Sequence, residues 1–144
     1  MSMDNLNVEK WIQFAQEDYN LVVIIVKTHG PYPVPTRIVC YHCQQSVEKI
    51  LKAYIIAKEG IHAKIHDLEK LLKQCAQHSS DFDDFETACS GLNTYTTTSR
   101  YPSDITLTEQ HMKQALEDAY NILEFTKLKL KEMGYEYKSE KDEN

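Results

Sequence analysis

The sequence predicts an all-α protein, an up-and-down bundle of four main helices with a shorter fifth. Three observations predict it. Apolar residues recur at three- and four-residue spacing in several long stretches, only four Gly and four Pro interrupt 144 residues, and no stretch alternates apolar and polar residues with period two. Because the breaks are short, neighbouring helices are expected to be mostly antiparallel.

The central helix is predicted from Thr36 to Gly60. Thr36 is a candidate N-cap, Gly60 suits a left-handed C-terminal residue, and the prolines within 31–35 prevent any helix from running in from upstream. The apolar residues of this stretch lie on one stripe: Val39, Cys43, Val47, Ile50, Leu51, Tyr54 and Ile55. A helix of this length spans a small domain, so the other helices are expected to pack against it.

The first helix is predicted from about Val8 to Thr28, with Asn7 as its cap and Gly30 as its stop. Its end contains a run of β-branched residues, 22–26, whose intrinsic preference is for strand. The run continues the helical period of the preceding residues without a break. The sequence is therefore interpreted as helical there.

Two shorter helices are predicted after the central one. The first opens at His66 or Asp67 and buries Leu68, Leu71, Leu72 and Cys75. The second runs from about Phe82 to Tyr95, and it is followed by a threonine-rich segment that favours extended or turn backbone.

The last helix is predicted to open on a capping box of Thr106 and Glu109 and to end at Gly134. We assign residues 1–134 to a single helical domain. The remaining residues, 135–144, form a charged tail without an evident apolar partner, and we expect this tail to fray.

Composition excludes several classes of protein. A net charge of −6 argues against a general nucleic-acid coat, although it leaves room for a local basic patch. The first ten residues lack the features of a signal peptide, and no apolar stretch approaches the roughly 18 residues of a membrane helix. The chain is therefore expected to be cytoplasmic, without a membrane association, and its four Cys are expected to be reduced thiols.

Cys40 and Cys43 form a CxxC pair that invites a redox or zinc interpretation. A second pair is missing, and so is the βαβ pattern of a thioredoxin. Two small thiols facing the core are the favoured interpretation, and we predict no metal and no cofactor.

A nucleotide or RNA-end site is predicted where the polar side of the central helix would meet the turn around Arg100. Phosphate is bound well by Arg and Lys, and a base by an aromatic face with amide groups at its edge. The candidate ligands are Gln45, Lys49, Lys52, Tyr95, Arg100 and Tyr101. The structural alternative is that Glu48 and Lys52 form an ordinary solvated i,i+4 pair and that Arg100 only docks its loop on Glu48 or Asp18.

Two further pairs are weighed against structural roles. Arg37 and His42 have Arg-x4-His spacing, but on a helix the two side chains would lie about 140° apart around the axis. They could converge on one phosphate only with the help of a second subunit. The structural alternative is that Arg37 is a solvated charge and His42 a partly buried ring. His66 and Asp67 are an imidazole beside a carboxylate, yet Asp67 stands where a helix favours a cap.

Four pieces in chain order carry a wider resemblance: Glu17-Asp18, the run from Cys43 to Tyr54, His66-Asp67-Leu68, and Leu92-Asn93 followed by Ser99-Arg100-Tyr101-Pro102. Together they resemble the HEPN family, named for nucleotide binding in higher eukaryotes and prokaryotes. The resemblance covers the chain from about Val8 to Leu130. It implies a small helical bundle that forms homodimers and acts with a minimal nucleotidyltransferase, in many cases as the toxin half of a toxin-antitoxin pair.

Some branches of that family resemble ribonucleases that use an Arg and a His separated by four to six residues near the start of the final helix. In this chain the residues at those offsets from Arg100 are Ile105, Thr106 and Leu107, and the next histidine is His111. We therefore expect a binding module that does not cleave RNA. The alternative is a metal-independent ribonuclease toxin in which Arg100 or Arg37 acts with a histidine across the dimer.

Overall fold

The computed structural model describes residues 6–98, 101–102 and 106–138, and all regular structure in them is helical. The elements are α1 (Val8–Lys27), α2 (Thr36–Glu59), α3 (Leu68–Ala76), a 3₁₀ helix (Ser80–Phe85), α4 (Glu86–Asn93), α5 (Tyr95–Thr98) and α6 (Glu109–Glu132). The predicted all-α bundle is confirmed. No helix in the described ranges has the length and apolar character needed to cross a membrane.

Helix α2 is the centre of the fold, because α1 and α6 pack along it and the shorter helices cover its remaining side. Most of its side chains are buried, including Val39, Cys43, Val47 and Leu51 at 0% exposure. Burial on nearly all sides is typical of a helix enclosed by others rather than of an amphipathic surface helix.

Helix α1 is antiparallel to α2, because a later residue of α1 contacts earlier residues of α2. Asp18 contacts His42 and Lys49, whereas Trp11 lies beside Lys52. Helix α6 is antiparallel to α1 in turn, because Tyr19 contacts Tyr120 whereas Gln16 contacts Lys127. The chain between α2 and α3 runs back along α2 from Gly60 until His66 reaches Glu48. Helix α3 therefore begins beside the middle of α2.

Several predicted helix ends are confirmed. Asn7 accepts the Lys10 backbone N–H at 3.1 Å at the start of α1, and Asp67 accepts two backbone N–H groups at the start of α3. Gly60 ends α2 with φ of +70°, a left-handed conformation that favours glycine. The β-branched run 22–26 is helical, as its period indicated.

The prediction for the fourth helix was wrong in its first part. Residues Ser80–Phe85 form a 3₁₀ helix, and α4 begins only at Glu86 and ends at Asn93. Three residues per turn place Phe82 and Phe85 on the same side, where both rings contact Phe125, with centroids 5.1 and 4.9 Å away. The packing of two phenylalanines on one ring explains the tighter helix.

Two predicted caps were also wrong. Thr36 is the first residue of α2 and makes no capping bond; its hydroxyl instead donates to the Leu107 carbonyl at 3.3 Å. The capping box of α6 is formed by Thr108 and His111 rather than by Thr106 and Glu109. Because Leu107 is tied to α2 and packs against the core, the helix begins after it.

The end of α6 turns the chain back on the bundle. The Gly134 N–H donates to the Lys131 carbonyl at 2.9 Å, and the Tyr135 N–H donates to the Leu130 carbonyl at 2.9 Å. These two bonds, with Gly134 at φ of +94°, form a Schellman motif. No apolar partner is evident in the sequence for the segment after Gly134, whereas in the structure Tyr135 and Tyr137 pack against the core. Residues 139–144 lie outside the described ranges.

Candidate functional site

A charged cluster joins α1 to the middle of α2. Asp18 of α1 accepts a hydrogen bond from Lys49 at one carboxylate oxygen and contacts His42 Nδ1 at 3.1 Å with the other. Beside the cluster, the Ser46 hydroxyl donates to the Ala15 carbonyl at 2.8 Å. Lys49, a predicted phosphate ligand, is therefore held by a carboxylate of α1. His42 is the partly buried ring that the sequence allowed, with 29% of its side chain exposed.

The pair of Glu48 and Lys52 is buried, not solvated as the structural alternative proposed. Their side chains are 8% and 3% exposed, and Lys52 Nζ donates to Glu48 Oε2 at 3.2 Å. The same oxygen contacts His66 Nδ1 at 3.1 Å, and the other accepts from Gln44 at 3.3 Å. The Lys52 ammonium also lies 5.8 Å from the ring centroid of Trp11. A cation enclosed in this way holds α1 and the 60–67 connection against α2.

The remaining predicted nucleotide ligands differ in burial. Tyr95 is buried, and burial raises the pKa of its phenol to about 12, with smaller contributions from Cys40 and Asp118. Gln45 is half-buried and donates to Gln44 Oε1 at 2.7 Å. Tyr101 is 60% exposed. Arg100 lies outside the described residues, so its predicted approach to Lys49 stays a prediction.

Arg37 and His42 point to different surroundings. Arg37 is exposed in the first turn of α2, whereas His42 faces Asp18 on α1. His66 bonds Glu48 and Asp67 caps α3, so each member of that second pair has a structural partner of its own.

The four cysteines are buried free thiols. Burial raises the pKa of Cys40 to about 11 and that of Cys89 to about 12, and it raises the pKa of Cys43 and Cys75 further. Zinc ligation and thiol exchange both need the thiolate, which these surroundings disfavour. Within the described residues, no three His, Cys, Asp or Glu side chains are grouped to hold a metal ion.

An open groove that was not predicted from the sequence lies between α1, α6 and the segment 135–138. It has a volume of about 720 Å³, within the range of small-molecule sites. We call it the α1–α6 groove. Its lining residues are Ile12, Tyr120, Glu124, Lys127, Leu128, Lys131, Tyr135, Glu136, Tyr137 and Lys138. The signal available in the sequence was the short spacing of lysines and tyrosines after Tyr120.

The lysines of the α1–α6 groove are only partly neutralised. Lys127 Nζ donates to Gln16 Oε1 at 2.6 Å and lies 3.4 Å from Glu124 Oε2. Lys131 is 3.8 Å from Glu136, and 63% of its side chain is exposed. A long, exposed ion pair of this kind is weak, so the Lys131 ammonium is free to meet an anion in the groove.

Comparisons with known proteins agree with this fold. The family model of the HEPN domain matches residues 8–130. A crystal structure of an archaeal HEPN homologue matches with a TM-score of 0.65 and 25% sequence identity, covering 85% of this chain and 97% of that chain. No curated protein sequence matches.

Proposed function

This chain belongs to the HEPN domain family, and on that premise we propose that it is a nucleotide- or RNA-binding module that does not cleave RNA. The observation that carries the proposal is the α1–α6 groove, which is of ligand size and is lined by three lysines and three tyrosines. Ammonium groups suit phosphate, and aromatic faces suit a base.

The proposal includes a homodimer that acts with a minimal nucleotidyltransferase, as one half of a toxin-antitoxin pair. Support for a subunit contact comes from Phe14, Leu21 and Ile24, which are 45%, 40% and 57% exposed on the outer side of α1. At 100° per residue these side chains fall within about 80° of one another, so they form one apolar stripe. A second copy of the chain is the occupant we assign to it. Sequencing the neighbouring gene tests the proposed partner, since that gene should encode a small nucleotidyltransferase.

Binding is tested by calorimetry and thermal unfolding with nucleoside mono-, di- and triphosphates and with short RNAs, all in EDTA. A ligand that binds the folded state must raise the melting temperature as its concentration exceeds Kd. We expect the melting temperature to rise with at least one nucleotide or RNA. We also expect the RNA to be intact after incubation with the protein. No rise with any probe at millimolar concentration would remove the proposed binding function.

A metal-independent ribonuclease is the second candidate, and the contact between His42 and Asp18 favours it. A carboxylate in contact with Nδ1 orients the imidazole, as a general acid–base pair requires. Arg37, five residues before it, is exposed and would need a second subunit to approach the same phosphate. RNA cleavage in EDTA that is lost in His42→Ala and in Arg37→Ala, but kept in the control His111→Ala, would establish this candidate instead.

A further inference from the structure

We propose that the α1–α6 groove binds a ligand with one aromatic base and a single phosphate group. This is the chemistry of a nucleoside monophosphate and also of the phosphorylated end of an RNA. The inference rests on the proposed nucleotide-binding function and assigns its site and ligand class.

The net charge of the groove lining limits how many phosphate groups the ligand can carry. The groove is lined by Lys127, Lys131 and Lys138 and by Glu124 and Glu136, which leaves one positive charge in excess. A terminal phosphate carries about −1.5 to −2 at neutral pH, so one such group nearly balances the lining. A triphosphate would bring two further charged groups without cations to meet them.

Lys131 is the lysine best placed to bind the phosphate. Lys127 is already oriented by Gln16 at 2.6 Å, across the floor between α1 and α6. Lys131 has only the 3.8 Å contact with Glu136, and most of its side chain is exposed. If the Lys131 ammonium moves from Glu136 to a phosphate, it exchanges a weak ion pair for a charge-assisted hydrogen bond.

The base is assigned to the tyrosines. Tyr135 and Tyr137 are half-buried and pack against the core, and Tyr120 is 45% exposed and contacts the Tyr19 ring at 5.9 Å. Rings held in place by packing lose little entropy when a base stacks on them. The Schellman motif at Gly134 positions these rings, because it turns residues 135–138 back onto the bundle, where they line the groove together with Ile12 of α1.

A calorimetric test uses five probes: adenosine monophosphate, adenosine, adenosine triphosphate, inorganic phosphate and a 5′-phosphorylated five-nucleotide RNA. Lys131→Ala should weaken binding of the monophosphate about tenfold, as loss of a charge-assisted bond predicts, and leave adenosine unchanged. The control Lys113→Ala removes an equally exposed lysine on the same helix, about 27 Å away along its axis, and should alter affinity less than about twofold.

Tyr137→Leu should weaken both adenosine and its monophosphate about fivefold or more, because base stacking is lost. Tyr137→Phe keeps the ring and should bind like the wild type. Tyr32→Leu is the matched control, since Tyr32 is 74% exposed between α1 and α2. Circular dichroism melting of every variant separates lost binding from lost folding.

The outcomes are distinguishable. If the wild type binds but Lys131→Ala behaves like Lys113→Ala, the groove assignment is overturned while the proposed function stands. If no probe binds, both fail. Tighter binding of the triphosphate than of the monophosphate would overturn the single-phosphate class. Tighter binding of the RNA, with the same sensitivity to Lys131→Ala and Tyr137→Leu, would support the site with an RNA end as the source.

Discussion

Lys52 and Glu48 carry opposite charges into the interior of the bundle. Each ion buried in a protein loses several kcal/mol of hydration, which is recovered only if its partners remain in place. Glu48 keeps three such partners, namely Lys52, His66 and Gln44. At this position the two residues are more readily explained as structural than as ligands for a nucleotide.

Lys52→Ala is expected to lower the free energy of unfolding by about 3 kcal/mol, because the Glu48 carboxylate is left buried without its cation. Urea unfolding followed by circular dichroism measures the change. Lys113→Ala removes the exposed pair with Glu109 and should cost less than about 1 kcal/mol.

Replacing both members of the buried pair gives the complementary result. The double substitution Glu48→Leu and Lys52→Met should cost much less than Lys52→Ala alone, since no unpaired charge remains. A Lys52→Ala variant as stable as the wild type would show that the pair is open to water in solution.

His62 is expected to make stability depend on pH. Its ring lies on Trp11 with centroids 5.1 Å apart, and among the described residues neither ring nitrogen has a hydrogen-bond partner. Burial, with the nearby Lys52, Lys64 and His66 charges, lowers its pKa below that of an unfolded histidine. The unfolded chain then binds the proton more readily. The stabilisation contributed by neutral His62 is complete above about pH 6.5 and is lost as the pH falls below it.

Urea unfolding at pH 7.5 and pH 5 measures this dependence. In His62→Phe, which keeps the ring contact with Trp11 but cannot be protonated, the loss of stability on acidification should be smaller than in the wild type. An equal loss in both proteins would assign the acid sensitivity to other groups.

At the scale of elements, helix ends follow local chemistry except where a distant contact intervenes. Asn7 and Asp67 cap their helices, and Gly60 ends α2, as their positions in the sequence indicated. Thr106 and Thr108 are equally able to cap, and the choice between them depends on Leu107, which is held by Thr36 of α2.

Thr108→Ala is expected to lower the free energy of unfolding by about 1 kcal/mol, because the first turn of α6 loses its side-chain acceptor. Thr106→Ala serves as the matched control, and it should change stability by less than about 0.5 kcal/mol as a surface substitution away from a cap. The same denaturation experiment compares the two. A larger loss for Thr106→Ala would restore the cap predicted from the sequence.

At the scale of the whole molecule, the described residues present two surfaces to which we assign a binding role: the α1–α6 groove and the apolar stripe of Phe14, Leu21 and Ile24. The groove is assembled from opposite ends of the chain, since Gln16 meets Lys127. The stripe faces away from α2 and leaves three large apolar side chains in water.

Ile24→Glu tests the stripe as the contact between two copies of the chain. Light scattering should give about twice 16.7 kDa for the wild type and the single-chain mass for the variant, because an unpaired carboxylate opposes burial of the interface. Gln110→Glu adds the same charge to an exposed position of α6 and should remain dimeric. A wild type that is monomeric at high concentration would contradict the proposed dimer.

The helical class, the main helices and several of their ends can be predicted from the sequence, because periodicity, caps and left-handed glycines act within a few residues. The sequence also carries the resemblance to the family. Which polar residues are enclosed depends instead on how the helices pack. Glu48 and Lys52 have the spacing of a solvated pair, and their burial depends on Trp11 and His66, which are distant in sequence.

The α1–α6 groove likewise follows from the tertiary structure alone. Tyr135 and Tyr137 lie beyond the last helix, where no periodic pattern indicates a partner. They line the groove because the chain reverses at Gly134 and packs against the core. Local patterns specify backbone conformation, whereas a binding surface depends on which distant segments pack together, and that is decided by the energy of the whole core.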